Sequence, residues 1–194
     1  GPGLPFGSED EEERKVAVGE GIMAVRAAEE LGAAVYSGHF DVGEQSEKSV
    51  TEILGQLHSS SLTLTCENLI PNPQISDCIA FVDKIDSDRF GITVDIGHQR
   101  DPDGINPFVK KEVARQTMTQ CGKRLLHLHL HDFTDTDHKP AFDGNIEWGE
   151  VFAALKDIDY KGELMFEVSH ATAEDVLRKT AAFPKTFVER YDGP

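Results

Sequence analysis

Four residues define the chemistry open to this chain: Glu67, Asp95, His129 and Glu167. Each lies at or near the end of a short apolar run. Three carboxylates and one imidazole make an oxygen-rich ligand set that suits Mn²⁺ first, with Mg²⁺, Co²⁺, Fe²⁺ or Zn²⁺ also accommodated. Without a cation, three carboxylates aimed at one point repel each other, and one or more must take a proton. The run His127-x-His129-x-His131 adds imidazoles. Alternate strand residues differ by about 6.6 Å along the strand, so only one or two of the three reach the level of a metal. His127 lies deeper and reads as a hydrogen-bonded histidine inside a barrel.

Parity groups the four. Side chains alternate across a strand. In 62–67, Leu62, Leu64 and Cys66 alternate with Thr63, Thr65 and Glu67. Ile92 and Val94 alternate with Thr93 and Asp95, and Leu126, Leu128 and Leu130 with the three histidines. Leu164, Phe166 and Val168 alternate with Glu163, Met165 and Glu167. A doubly wound sheet needs both faces apolar. One apolar and one polar face suits a barrel with helices outside and a site inside. The polar set reaches the C-terminal strand ends, where parallel α/β proteins build active sites.

The elements that must carry these residues alternate along the chain. Ser8 with Glu11 reads as a capping box, followed by a helix with apolar positions Val16, Ile22, Val25 and Ala28 that stops at Leu31-Gly32. Strands are expected at 34–37, 62–67, 91–95, 124–131 and 163–168, and helices at 47–58, 76–85 and 147–158. Asn106-Pro107 reads as the start of a helix running to about Cys121, and the last helix begins near Ala173. This is an α/β pattern of about five βα units, each roughly 30–35 residues long. It predicts a parallel sheet with helices packed against it, in a single domain over 1–194.

Composition narrows the partners. Lys and Arg number 19 against 35 Asp and Glu, giving a net charge of −16. Such a chain repels phosphate backbones, so no nucleic-acid partner is expected. No run of about 18 apolar residues is present, so no membrane partner is expected either. The N-terminus is polar and acidic, unlike a signal peptide, and Gly1-Pro2 reads as the remnant of a protease cut. Cys66, Cys78 and Cys121 are scattered and read as reduced thiols of a cytoplasmic protein. The chain lacks GxxxxGK[ST], GxGxxG and GxSxG. Trp148, at a helix start, reads as packing rather than as a ligand-stacking ring.

Several segments, in order along nearly the whole chain, resemble the xylose-isomerase-like TIM-barrel superfamily. They are Leu31-Gly32 with His39, Thr65-Cys66-Glu67-Asn68-Leu69, Asp95-Ile96-Gly97-His98 and His129-Leu130-His131-Asp132. His138, Asp143-Gly144-Asn145-Ile146-Glu147-Trp148, Tyr160-Lys161-Gly162 and Met165-Phe166-Glu167 complete the set. The superfamily holds sugar and sugar-phosphate isomerases and epimerases, inosose dehydratases and metal-dependent apurinic endonucleases.

The resemblance implies a (β/α)8 TIM-barrel-like fold with Glu67, Asp95, His129 and Glu167 as ligands of a divalent metal. It also implies that Glu67 and Glu167 exchange the substrate proton from opposite faces, through an enediolate. His98 matches a histidine that contacts substrate in the epimerases and a second metal in the endonucleases. His39 and His138 match further endonuclease ligands, and Lys139 is a candidate substrate contact. The endonuclease pattern wants Asp where this chain has Thr136. Leu4-Pro5-Phe6-Gly7 resembles the segment after a third strand, and a full barrel typically needs about 250 residues, so the barrel is expected to be N-terminally incomplete.

The leading expectation is a metal-dependent isomerase or epimerase acting on a small sugar or sugar phosphate. A phosphodiesterase for abasic DNA is the alternative, and a non-catalytic barrel subunit a third. A homo-oligomer is compatible with all three.

Overall fold

Every expected strand forms, and each is followed by a helix. The structure is a computed structural model and describes residues 3–57, 61–169 and 172–192. The expectations on Gly1-Pro2 and on His58 as a helix end lie outside the described residues. The elements are α1 (Glu11–Glu30), β1 (Val35–Gly38), α2 (Glu44–Gly55), β2 (Thr63–Glu67), α3 (Ile75–Ile85) and β3 (Phe90–Asp95). They continue with α4 (Lys111–Thr119), β4 (Leu125–Leu130), α5 (Trp148–Asp157), β5 (Met165–Phe166) and α6 (Ala173–Phe187). The strands form one sheet in the order β1-β2-β3-β4-β5, the sequential order that right-handed βα repeats generate.

The chain divides into two compact units, residues 1–94 with 124–127, and residues 95–123 with 128–194. In the first, β1 pairs parallel with β2, and β2 with β3. Phe6, Phe40, Phe81 and Phe90 form its aromatic core, with ring centroids 4.8–6.4 Å apart. The polar parity of its strands is not left to water. The Thr65 and Thr93 hydroxyls lie 2.7 Å apart, and Ser37 Oγ donates to Thr93 Oγ1 at 3.0 Å. In the second unit β4 pairs parallel with β5. Trp148 is buried there among Phe142, Phe152 and Phe183, which settles its packing role.

Three local expectations are corrected. The cap of α1 is Asp10, not Ser8, because the Asp10 carboxylate accepts from the Glu12 and Glu13 N–H groups. The Ser8 hydroxyl instead donates to the Glu13 carboxylate. Val16 does not face the core but is 62% exposed, because the buried stripe of α1 is Arg14, Ala17, Val18, Gly21 and Val25. Arg14 tolerates burial through its contacts with Glu11, Ser49 and Glu52. Asn106 caps only a 3₁₀ turn, Pro107–Val109, and α4 starts afresh at Lys111.

Candidate metal centre

In the second unit the site begins at Asp95, which closes β3 and is fully buried. Its Oδ1 accepts from the N–H groups of Gly97 (2.8 Å) and His98 (3.0 Å), a turn that Asp favours because its side chain reaches the backbone two residues on. The same oxygen lies 2.8 Å from His131 Nε2. Oδ2 faces His98 Nδ1 at 3.3 Å and His129 Nδ1 at 4.0 Å.

β4 supplies His129, and His131 follows its end. His129 Nδ1 lies 3.0 Å from Glu167 Oε2. Glu167 follows the two-residue β5, and its N–H donates to the Leu130 carbonyl at 3.1 Å. His131 is fully buried, and its Nδ1 accepts the His138 N–H at 2.8 Å. That bond leaves the ring proton on Nε2, facing Asp95. Burial pulls the His131 pKa down, but the Asp95 hydrogen bond and charge outweigh it and hold the group above its ordinary value. In the neutral ring the Nδ1 lone pair accepts the His138 N–H and the proton sits on Nε2.

The loop from β4 to α5 brings in His138. Its root is Asp132, fully buried, whose carboxylate accepts from the Phe133, Phe142 and Ile146 N–H groups and from Trp148 Nε1, all at 2.8–3.0 Å. The His138 ring stacks on His131, with centroids 4.3 Å apart and planes 8° from parallel. Asp137 lies between two imidazoles, 2.9 Å from His138 Nδ1 and 3.6 Å from His98 Nε2. Burial pushes the Asp137 pKa up, but the His138 hydrogen bond and the charges of His138, His98 and His131 bring it below the ordinary value.

The first unit holds Glu67, buried at the end of β2. Its Oε2 lies 3.6 Å from His39 Nε2 and 3.3 Å from the Ser37 hydroxyl.

The xylose isomerase-like TIM barrel family model matches residues 1–187. The chain belongs to this family. Among solved structures, a D-tagatose 3-epimerase-like protein matches 97% of this chain and 74% of its own, with TM-score 0.74 and 23% identity. IolI, crystallised with a zinc atom, matches 95% of this chain and 73% of its own, with TM-score 0.74 and 18% identity. The D-psicose 3-epimerase of Clostridium cellulolyticum H10, crystallised with D-tagatose, matches 90% of this chain and 64% of its own, with TM-score 0.69 and 20% identity. At these identities the likeness is one of fold, the α/β TIM-barrel-like arrangement with five strands in this chain. The uncharacterized protein MJ1311 of Methanocaldococcus jannaschii is 35% identical over 91 residues, 46% of this chain. The chain's match spans 29% of that relative.

Of the family-matched residues, Asp95, His129 and Glu167 offer ligand atoms within 4.8 Å of one another. His98 and His138 join a second group with Asp95 and His131, also within 4.8 Å. Three carboxylate and imidazole donors at that spacing fit a hard or borderline divalent cation. Glu67 and His39 meet each other in the first unit. Lys139 is engaged within its own loop. Its ammonium donates to Thr134 Oγ1 and lies 3.5 Å from Asp135, and its backbone pairs with Asp132. The sequence reading gave no role to Asp132 or Asp137, and it met His131 only as one imidazole of the His127-x-His129-x-His131 run and of the His129-Leu130-His131-Asp132 string.

Proposed function

We propose that this chain is a divalent-metal-dependent isomerase or epimerase acting on a small sugar or sugar phosphate. The observation that carries the reading is the convergence of Asp95, His129 and Glu167. Glu67, at the matching end of β2, is the fourth proposed ligand on family grounds. Bound there, a divalent cation such as Mn²⁺ supplies the charge that lowers the cost of an enediolate.

The chain's own residues then divide the work. Glu67 and Glu167 remove and return the carbon-bound proton, each acting as base and then as acid. Glu167, with its side chain 46% exposed, has room to meet substrate. His98, His39 and His138 contact substrate oxygens, and Lys139 is the weakest member of that set because its ammonium is already engaged within its loop. The partner is a small molecule rather than nucleic acid, in keeping with the charge of −16. Three buried cysteines in no disulfide favour a cytoplasmic setting, and among the described residues no helix is long and apolar enough to cross a membrane.

One observation favours the phosphodiesterase alternative. Asp137 sits beside His98 and His138 and offers a carboxylate where Thr136 does not. The acidic loop residues Asp101, Asp103 and Asp135 oppose it, since a DNA site needs a basic rim.

The test is proton exchange. The Mn²⁺-loaded chain is incubated in D2O with a panel of ketoses and their phosphates, and with abasic DNA. Deuterium entering the carbon beside the carbonyl, lost in Glu167→Gln, supports the reading. DNA cleavage without exchange would replace it with the alternative.

A further inference from the structure

We propose that His131 is a positioning residue of this centre, holding the Asp95 carboxylate through Nε2–H and coupling it to the β4–α5 loop through Nδ1. The inference rests on the metal-dependent reading above and deepens it.

Both partners are fully buried, so their 2.8 Å contact is shielded from competing water. The ring is fixed from three sides. Its Nδ1 is taken by the His138 N–H. Its face is covered by the His138 ring, and the His98 ring stands edge-on at 5.7 Å. Its remaining space is left by Gly97, where any Cβ would collide with the imidazole. Gly97 is also the residue whose N–H caps Asp95 Oδ1. The chain therefore omits a side chain where the imidazole must reach that oxygen.

With Oδ1 held by the Gly97 and His98 N–H groups and by His131, the carboxylate cannot rotate freely. Oδ2 is then directed toward His98 and His129. Hydrogen-bonded partners of ligating carboxylates set ligand orientation, and their loss typically costs about 10–100-fold in metal affinity. The His138 end of the relay is anchored as well. Its backbone φ is +54°, in the left-handed region that a non-glycine residue enters only when its surroundings compel it. Its carbonyl accepts the Ser169 N–H at 3.0 Å. A shift in the loop is thereby transmitted to Asp95 through one imidazole.

Two substitutions separate holding Asp95 from simply filling space. The amide nitrogen of His131→Gln reaches about where Nε2 stands and can donate to Asp95. The shorter His131→Asn can accept the His138 N–H but does not reach Asp95. Mn²⁺ is titrated calorimetrically into the metal-stripped full chain and both variants, after circular dichroism confirms that each folds. The expected result is about 10–100-fold weaker binding for His131→Asn and recovery to within about threefold for His131→Gln. Equal affinities for wild type and His131→Asn would overturn the inference, as would equal losses in both variants. An absence of Mn²⁺ binding by the wild type would overturn the underlying reading instead. A readout independent of metal is the ¹⁵N spectrum of the metal-free chain. It should show His131 protonated on Nε2, and an Nδ1–H ring would overturn the inference by itself.

Discussion

The two ends of the second unit's site hold their carboxylates in opposite ways. Asp95 is fully buried at the end of a six-residue strand and is fixed by two backbone N–H groups and an imidazole. Glu167 follows a two-residue strand, is about half exposed, and lies 3.0 Å from one imidazole and 3.9 Å from another. The difference has a chemical meaning. A carboxylate with no rotational freedom keeps negative charge at one point, which is what holding a cation requires. A carboxylate with space around it can take a proton and give it back. We propose that the β3 end anchors the cation and that the β5 end moves the proton.

The sharpest way to break that contrast is to neutralise each carboxylate in turn. Glu167→Gln should slow substrate proton exchange by about 10²–10⁴-fold and also weaken Mn²⁺ binding, though less than loss of Asp95 does because the half-exposed Glu167 is the less rigidly held ligand. Exchange rates by NMR and affinities by calorimetry check both halves, and an unchanged rate would remove Glu167 from catalysis. Asp95→Asn should act the other way, weakening Mn²⁺ binding by about 100-fold or more, since losing a ligand costs more than losing its outer partner. If the two variants weaken metal binding equally, the distinction between anchor and acid–base group fails.

A third substitution tests the frame. Asp132→Ala strands four N–H donors, including Trp148 Nε1, and should cost about 3 kcal/mol in urea unfolding. It should also loosen His138. A loss below about 0.5 kcal/mol would mean that the loop does not depend on Asp132.

The smallest expected effect is a control in the first unit. The Arg14 hydrogen bond holds the Glu11 carboxyl at about 2, below its ordinary 4.5. A depressed carboxylate contributes stability above its unfolded value and loses it as pH falls through the folded one. The stability difference between wild type and Glu11→Gln should therefore be present at neutral pH and shrink between about pH 4.5 and 2. A pH-independent difference in melting curves would remove the ion pair from the account.

Much of this contrast was legible in the sequence, and for an identifiable reason. Asp95, His129 and Glu167 sit on the polar parity of their strands, and a period of two is a local property that needs no knowledge of partners. The same rule fits four of the five strands, although it stretched β5 from Glu163 to Val168, where the structure pairs only Met165 and Phe166. Leu164 and Met165 are apolar yet 40% and 45% exposed, so hydrophobicity overstated that strand. Asp132 was not legible as a functional position, and His131 was legible only as one imidazole of the His127-x-His129-x-His131 run, not as the partner of Asp95. The role of His131 depends on Asp95, 36 residues earlier, and on the space left at Gly97. The role of Asp132 depends on Trp148, 16 residues later. The expected core position Val16 failed for the same reason, since the buried stripe instead takes in Arg14, whose burial is licensed by Ser49 and Glu52 in another helix.

The most direct measurement is a calorimetric Mn²⁺ titration of the wild-type chain after metal is stripped from it. Saturable binding of about one ion per chain is expected, because the donors of one site converge where parallel α/β proteins place their chemistry. Heats no larger than dilution at every Mn²⁺ concentration would contradict it.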